Sequence, residues 1–154
     1  MPKVDFAAVP RSNRTGYPEP FASDVAGRLV SRLGDIFGLQ DFGASHVILE
    51  PGAMSSQRHW HEDEDELVVM LSGEAVLIED EGRSILHPGD CAVFPKGVAN
   101  GHHLVNESGE KCIFVAIGRT AAGPCHYPDV DLHYDGASRT FVRKDGRPYS
   151  AAAS

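Results

Sequence analysis

The chain has no surplus of positive charge: 14 Lys and Arg stand against 22 Asp and Glu, a formal net charge of −8 over 154 residues. A phosphate backbone needs a basic face, so nucleic acid is excluded as a partner, and an anionic membrane surface is disfavoured for the same reason. No apolar run approaches membrane-spanning length, and the opening MPKVDFAAVPRSNRTGYPEP lacks the apolar centre of a secretory leader. Cysteine is scarce. Cys91, Cys112 and Cys125 form no CxxC pair and no disulfide framework. They are expected as free thiols in a reducing cytoplasm, with Cys91 and Cys112 as buried small hydrophobes within strands.

What is present in quantity is turn chemistry. Sixteen glycines and ten prolines are more than a helical bundle accommodates, and they punctuate short apolar runs. Residues 1–40 are expected as an extended N-terminal arm with a possible short helix in DVAGRLVSRLGDIFGL, where three glycines leave a strand and turn equally open. Residues 41–120 read as the core: FGASHVILEPGA, SSQRHWHE, ELVVMLSGE, AVLIEDEGRSIL, CAVFPKG and HHLVNESGEKCIFVAIG are strand candidates bounded by Gly, Pro and Ser. Strands at this spacing predict an all-β barrel or sandwich. Residues 121–154 are polar but carry Tyr127, Leu132, Tyr134, Phe141 and Val142. They are expected to pack on the barrel with one short strand near 139–143, the last few residues being disordered.

The chemistry concentrates in RHWHEDEDE. If this segment is extended, His59 and His61 project to one face about 6.5–7 Å apart, with Arg58 and Trp60 on the other. Their rings can then converge on one ion, and imidazole suits Zn, Fe, Ni and Cu, with Mn added once a carboxylate joins. Glu66, opening the apolar strand, can face back toward them; Glu62, Asp63, Glu64 and Asp65 are the competing carboxylates, expected in a solvated turn. A third imidazole must come from NGHHLVN, where alternation lets only one of His102 and His103 look inward.

Residues 50–106 resemble the two signature motifs of the cupin superfamily. The first is carried by Gly52, His59-Trp60-His61, Glu66 and Gly73; the second by Gly89, Pro95, Gly97, His102 and Asn106. The second departs from the family pattern, since Asn100 stands at the usual histidine position, but His102 keeps the four-residue step to Asn106. TGYPEPFA, YPDVDL and KDGRPY further resemble a group of small bacterial cupins, some described as sugar-phosphate isomerases by analogy. The resemblance implies a conical double-stranded β-helix, a jelly-roll barrel, holding one divalent metal (Zn, Fe, Mn or Ni) on His59, His61, Glu66 and His102. It also implies a homodimer, with residues 1–22 as an arm laid across the partner.

Gln57, Arg58, Asn100, His103 and Asn106 are candidates for the outer shell or for substrate contact. Arg58 is expected to pair with the acidic turn, while His46 and His87 read as structural. His126, Tyr127, His133 and Tyr134 read as tacking the tail down rather than closing the barrel mouth. The expected function is a metal-dependent enzyme acting on a small oxygen-rich molecule, a sugar derivative or an oxo-acid, by isomerisation, decarboxylation or Fe(II) dioxygenation. A non-catalytic carboxylate- or sugar-binding module is the alternative.

Overall fold

A computed structural model describes residues 3–119 and 123–149. It is nearly all β. The principal sheet has the order β1-β2-β9-β4-β7, with β1 Arg28–Arg32, β2 Gly43–Leu49, β4 Glu66–Ser72, β7 Cys91–Phe94 and β9 Cys112–Gly118. Every pairing in it is antiparallel. A second face is built from β6-β5-β8 (Gly82–Leu86, Ala75–Glu79, His103–Val105) and from β12-β11-β10-β3 (Thr140–Val142, Leu132–Asp135, Cys125–Tyr127, Trp60–His61). An isolated bridge between His59 and His102 stitches these two groups into one layer.

The two layers close on a core whose composition changes along the strands. Alternate residues of each strand face inward. On β4 the inward row runs Met70, Val68, Glu66; on β2 it runs Leu49, Val47, Ser45; on β9 it runs Cys112, Phe114, Ala116. One end of the barrel is therefore filled by Leu49, Met70, Cys112, Leu77 and Leu86. The other end carries polar side chains around a cavity of about 440 Å³. Burying that apolar end supplies the driving force; the polar end is held open by it.

Several sequence expectations change. DVAGRLVSRLGDIFGL divides into strand β1 and a one-turn helix α2, Leu33–Phe37, ended by Gly38 in the left-handed region; a second short helix, α1, spans Phe21–Asp24. Within the chain, Ser12 of the N-terminal arm pairs with Val30, and Ser31 Oγ donates to the Pro10 carbonyl. The tail forms three strands, not one, because β10 pairs directly with β3, setting Cys125 opposite His61 and His126 opposite Trp60. It brings its own apolar cluster, in which Tyr17 and Phe141 meet edge-on at 5.2 Å beside buried Tyr127 and Leu132. Cys91 is exposed, since its side chain is on the outward row of β7, whereas Cys112 is buried. The end of the chain, expected to be disordered, lies outside the described residues (150–154). Among the described residues no helix is long and apolar enough to cross a membrane.

Gly73 closes the turn between β4 and β5. Its φ is +68°, and a Cβ there would stand 2.5 Å from the Lys111 carbonyl oxygen and 2.9 Å from Cys112 Cα, both backbone atoms that cannot step aside. Gly73→Ala is expected to lower unfolding free energy by about 2 kcal/mol or more in urea titration, combining a left-handed conformation with a backbone clash.

Candidate metal centre

His59 and His102 face each other because their backbones exchange hydrogen bonds: His59 N–H donates to the His102 carbonyl at 3.1 Å and His102 N–H returns to His59 at 2.9 Å. Residues so paired put both side chains on one face. His61, two residues on, shares that face, and its ring centroid lies 4.8 Å from that of His59. Glu66 comes from the opposite layer, at the polar end of the inward row of β4. Its Oε2 lies 3.1 Å from His102 Nε2, 3.8 Å from His61 Nε2 and 4.0 Å from His59 Nε2.

The remaining ring nitrogens fix which atoms face inward. A carbonyl oxygen can only accept, so His59 Nδ1–H donates to the Gln57 carbonyl at 2.8 Å and His102 Nδ1–H to the Asn100 carbonyl at 3.3 Å. Each ring is thereby held with Nε2 toward Glu66. His61 turns Nδ1 toward Glu64 Oε2 at 3.5 Å. His102 is only 4% exposed and stacks on Phe94, ring centroids 3.5 Å apart.

Burial pushes the His59 imidazole down to about 4, with the facing Glu66 opposing that shift and the neighbouring His61 and His102 reinforcing it. Burial works against an ionised Glu66, but the His102 hydrogen bond and the three rings outweigh it and hold the carboxyl down to about 2. Neutral His59 and His61 beside an ionised Glu66 are protonation states that suit metal ligation. Two ligands about 2.1 Å from one ion stand roughly 3.0–3.5 Å apart for tetrahedral or octahedral angles, close to the donor separations here. The donor set therefore fits a divalent ion. His59, Glu66 and His102 bring their donor atoms within 4.8 Å of one another, with His61 outside that group but 3.8 Å from Glu66; a second cluster, His59, His61 and Cys125, does the same. Burial raises the Cys125 thiol to about 12.

The other candidates divide. His103 turns away from the four-donor cluster, its Nδ1–H donating to the Ser56 carbonyl at 2.9 Å, though it lines the same cavity. Gln57 and Asn100 serve the histidines through backbone carbonyls, while their side chains bind Asp24 and Glu79. Arg58 pairs with Asp80 and, bidentately at 2.7 Å, with Asp129, not with the acidic turn, because it points outward from the ligand strand. Asn106 is fully buried and ties a loop: Nδ2 donates to the Leu49 and Glu110 carbonyls, and Oδ1 accepts from Ser108.

Two features were missed in the sequence. Glu64 is no solvated turn residue. It enters the cavity where Gly118 makes room, since a Cβ at Gly118 would stand 2.6 Å from Glu64 Oε1. Burial and the charge of Glu66 raise its carboxyl to about 8. Nothing in EDED marks that position from its neighbours. Arg28, also on the cavity wall, was legible in principle, because Arg-Leu-Val-Ser-Arg alternates about Val30.

An antiparallel jelly roll with a histidine-and-glutamate centre at its polar end defines a class of barrel. The comparisons agree: the cupin domain pattern matches residues 45–118. A sugar phosphate isomerase from a cupin superfamily of Silicibacter pomeroyi DSS-3 is 40% identical, covers 97% of this chain and 98% of its own, and superposes with a TM-score of 0.89. The chain belongs to the cupin superfamily. A provisional sugar phosphate isomerase from Acidithiobacillus ferrooxidans ATCC 23270 is 26% identical over 82% of this chain and 84% of its own, TM-score 0.70. The polyketide cyclase RemF of Streptomyces resistomycificus, 20% identical over 84% and 87%, shares the fold at a TM-score of 0.69. Curated proteins gave no match.

Asn106→Ala is expected to cost about 2–4 kcal/mol of stability in chemical unfolding, since it leaves buried carbonyls unpaired. At a temperature where the variant stays folded, its metal content should equal that of the unaltered protein.

Proposed function

We propose that this protein is a metal-dependent enzyme that chelates a small, oxygen-rich substrate, a sugar derivative or an oxo-acid, inside the barrel. One observation carries the reading: three imidazole nitrogens and one carboxylate oxygen converge at the wall of a cavity of about 440 Å³, sized for a small molecule. His59, His61, Glu66 and His102 would hold the ion. A divalent ion bound there supplies Lewis acidity to substrate oxygens at coordination positions left free on the cavity side.

Isomerisation is the favoured reaction. It needs one proton moved between neighbouring carbons, and Glu64 presents a carboxyl to the cavity beside His61 without belonging to the four converging donors. The name carried by the 40% identical Silicibacter protein points the same way.

Metal content of untagged protein, measured by mass spectrometry beside His59→Ala and His102→Ala, tests the first part. One equivalent of a first-row divalent metal, lost in both variants, is the expected result; an unchanged content contradicts it. Turnover of sugar phosphates and oxo-acids by metal-loaded protein tests the second. Glu64→Gln should retain metal and lose about 100-fold or more in kcat, the scale of a general acid–base group. Tight, metal-dependent binding with no turnover would replace the enzyme by a binding module.

A further inference from the structure

We propose that Arg28 anchors an anionic group of the substrate, a carboxylate or a phosphate, in the chamber that also holds the His59–His61–Glu66–His102 cluster. The inference rests on the reading above that this cavity is where substrate sits.

Arg28 reaches the chamber through strand alternation. Arg28, Val30 and Arg32 of β1 line the cavity, while Ser31 between them faces out and is covered by the N-terminal arm. The Arg28 guanidinium lacks the partner such a group normally has. Nη1 donates to the Ser55 carbonyl, Nε is buried with no hydrogen-bond acceptor, and among the described residues no carboxylate lies within ion-pair distance. Arg58, by contrast, is satisfied by two aspartates. A partly buried guanidinium left with only a neutral acceptor is uncommon, because desolvating a charge without a counter-ion is unfavourable.

The surroundings leave the vacant counter-ion place to a ligand. Tyr17 lies near Arg28, and burial raises its phenol to about 12, so it stays neutral and can donate a hydrogen bond. The two carboxylates lining the cavity, Glu64 and Glu66, are drawn to the histidine end. Arg32, four residues on from Arg28, adds a second cation at the cavity wall. A chain of net charge −8 thus keeps a positive chamber wall. The ligand class that matches is a small hydroxy or keto compound, with chelating oxygens at one end and a carboxylate or phosphate at the other. The fork of Arg28 suits either anion bidentately.

Calorimetric titration of the full chain with inorganic phosphate and with malonate separates the two anion sources. It would be run on the unaltered protein and on Arg28→Met, Arg28→Lys and His59→Ala. At least one anion should bind the unaltered protein and raise its melting temperature. Its Kd should rise about ten-fold or more in Arg28→Met, the scale of one charge-assisted hydrogen bond, and less in Arg28→Lys. Binding should persist in His59→Ala, whatever happens there to metal. Arg28→Met should melt no lower than the unaltered protein, since a group placed for a ligand is not placed for stability. Failure of both anions to bind the unaltered protein overturns the anchor. So does undiminished binding in Arg28→Met. Binding lost in His59→Ala yet kept in both Arg28 variants puts the anion on the histidine cluster and equally overturns it.

Discussion

Two backbone hydrogen bonds set the register on which the site depends. The reciprocal pair between His59 and His102 joins the hairpin-rich part of the second layer to the part completed by the tail. It also fixes two imidazoles on one face at ligand distance. A slip of the His59 segment by one residue at this bridge would turn His59 and His61 out of the barrel, away from His102, and turn Arg58 in. The C-terminal strand β10 guards the register by pairing with β3 from the other side. The tail is therefore part of the frame that positions the centre.

The second constraint is polarity along the barrel. Met70, Val68 and Glu66 follow one another on the inward row of β4, so the strand passes from core to site within five residues. Stability and chemistry occupy opposite ends of the same strands. The apolar end holds the scaffold rigid while the polar end carries groups that are costly to bury. There the neutral His59 and His61, the ionised Glu66 and the cationic Arg28 are tolerated because each compensates another or awaits a ligand. The carbonyls of Gln57 and Asn100 add precision, each fixing the ring two residues later.

Much of this was legible in the sequence because period-two alternation and turn residues carry it. ELVVMLSGE gave a strand with Glu66 at its start, and the single spacing residue in HWH put two rings on one side. What escaped needed tertiary information. Glu64 looks like its acidic neighbours, and only the missing side chain of Gly118, 54 residues away, lets it turn inward. The tail strands are short and polar, and their pairing to β3 is a long-range contact that no local pattern signals. Arg58 was assigned to nearby acids, whereas its partner Asp129 is 71 residues away in sequence.

The central claim is that His59, His61, Glu66 and His102 form one metal centre. X-ray absorption spectroscopy of the metal-loaded protein tests it most directly, because first-row metals distinguish light N and O donors, at about 2.0–2.2 Å, from sulfur at about 2.3 Å. A centre on these four residues gives a shell of nitrogen and oxygen only, with the outer-shell scattering of three imidazoles. A sulfur neighbour would place the ion on Cys125 with His59 and His61, and fewer than three imidazoles would remove a ligand. Either result would contradict the centre described.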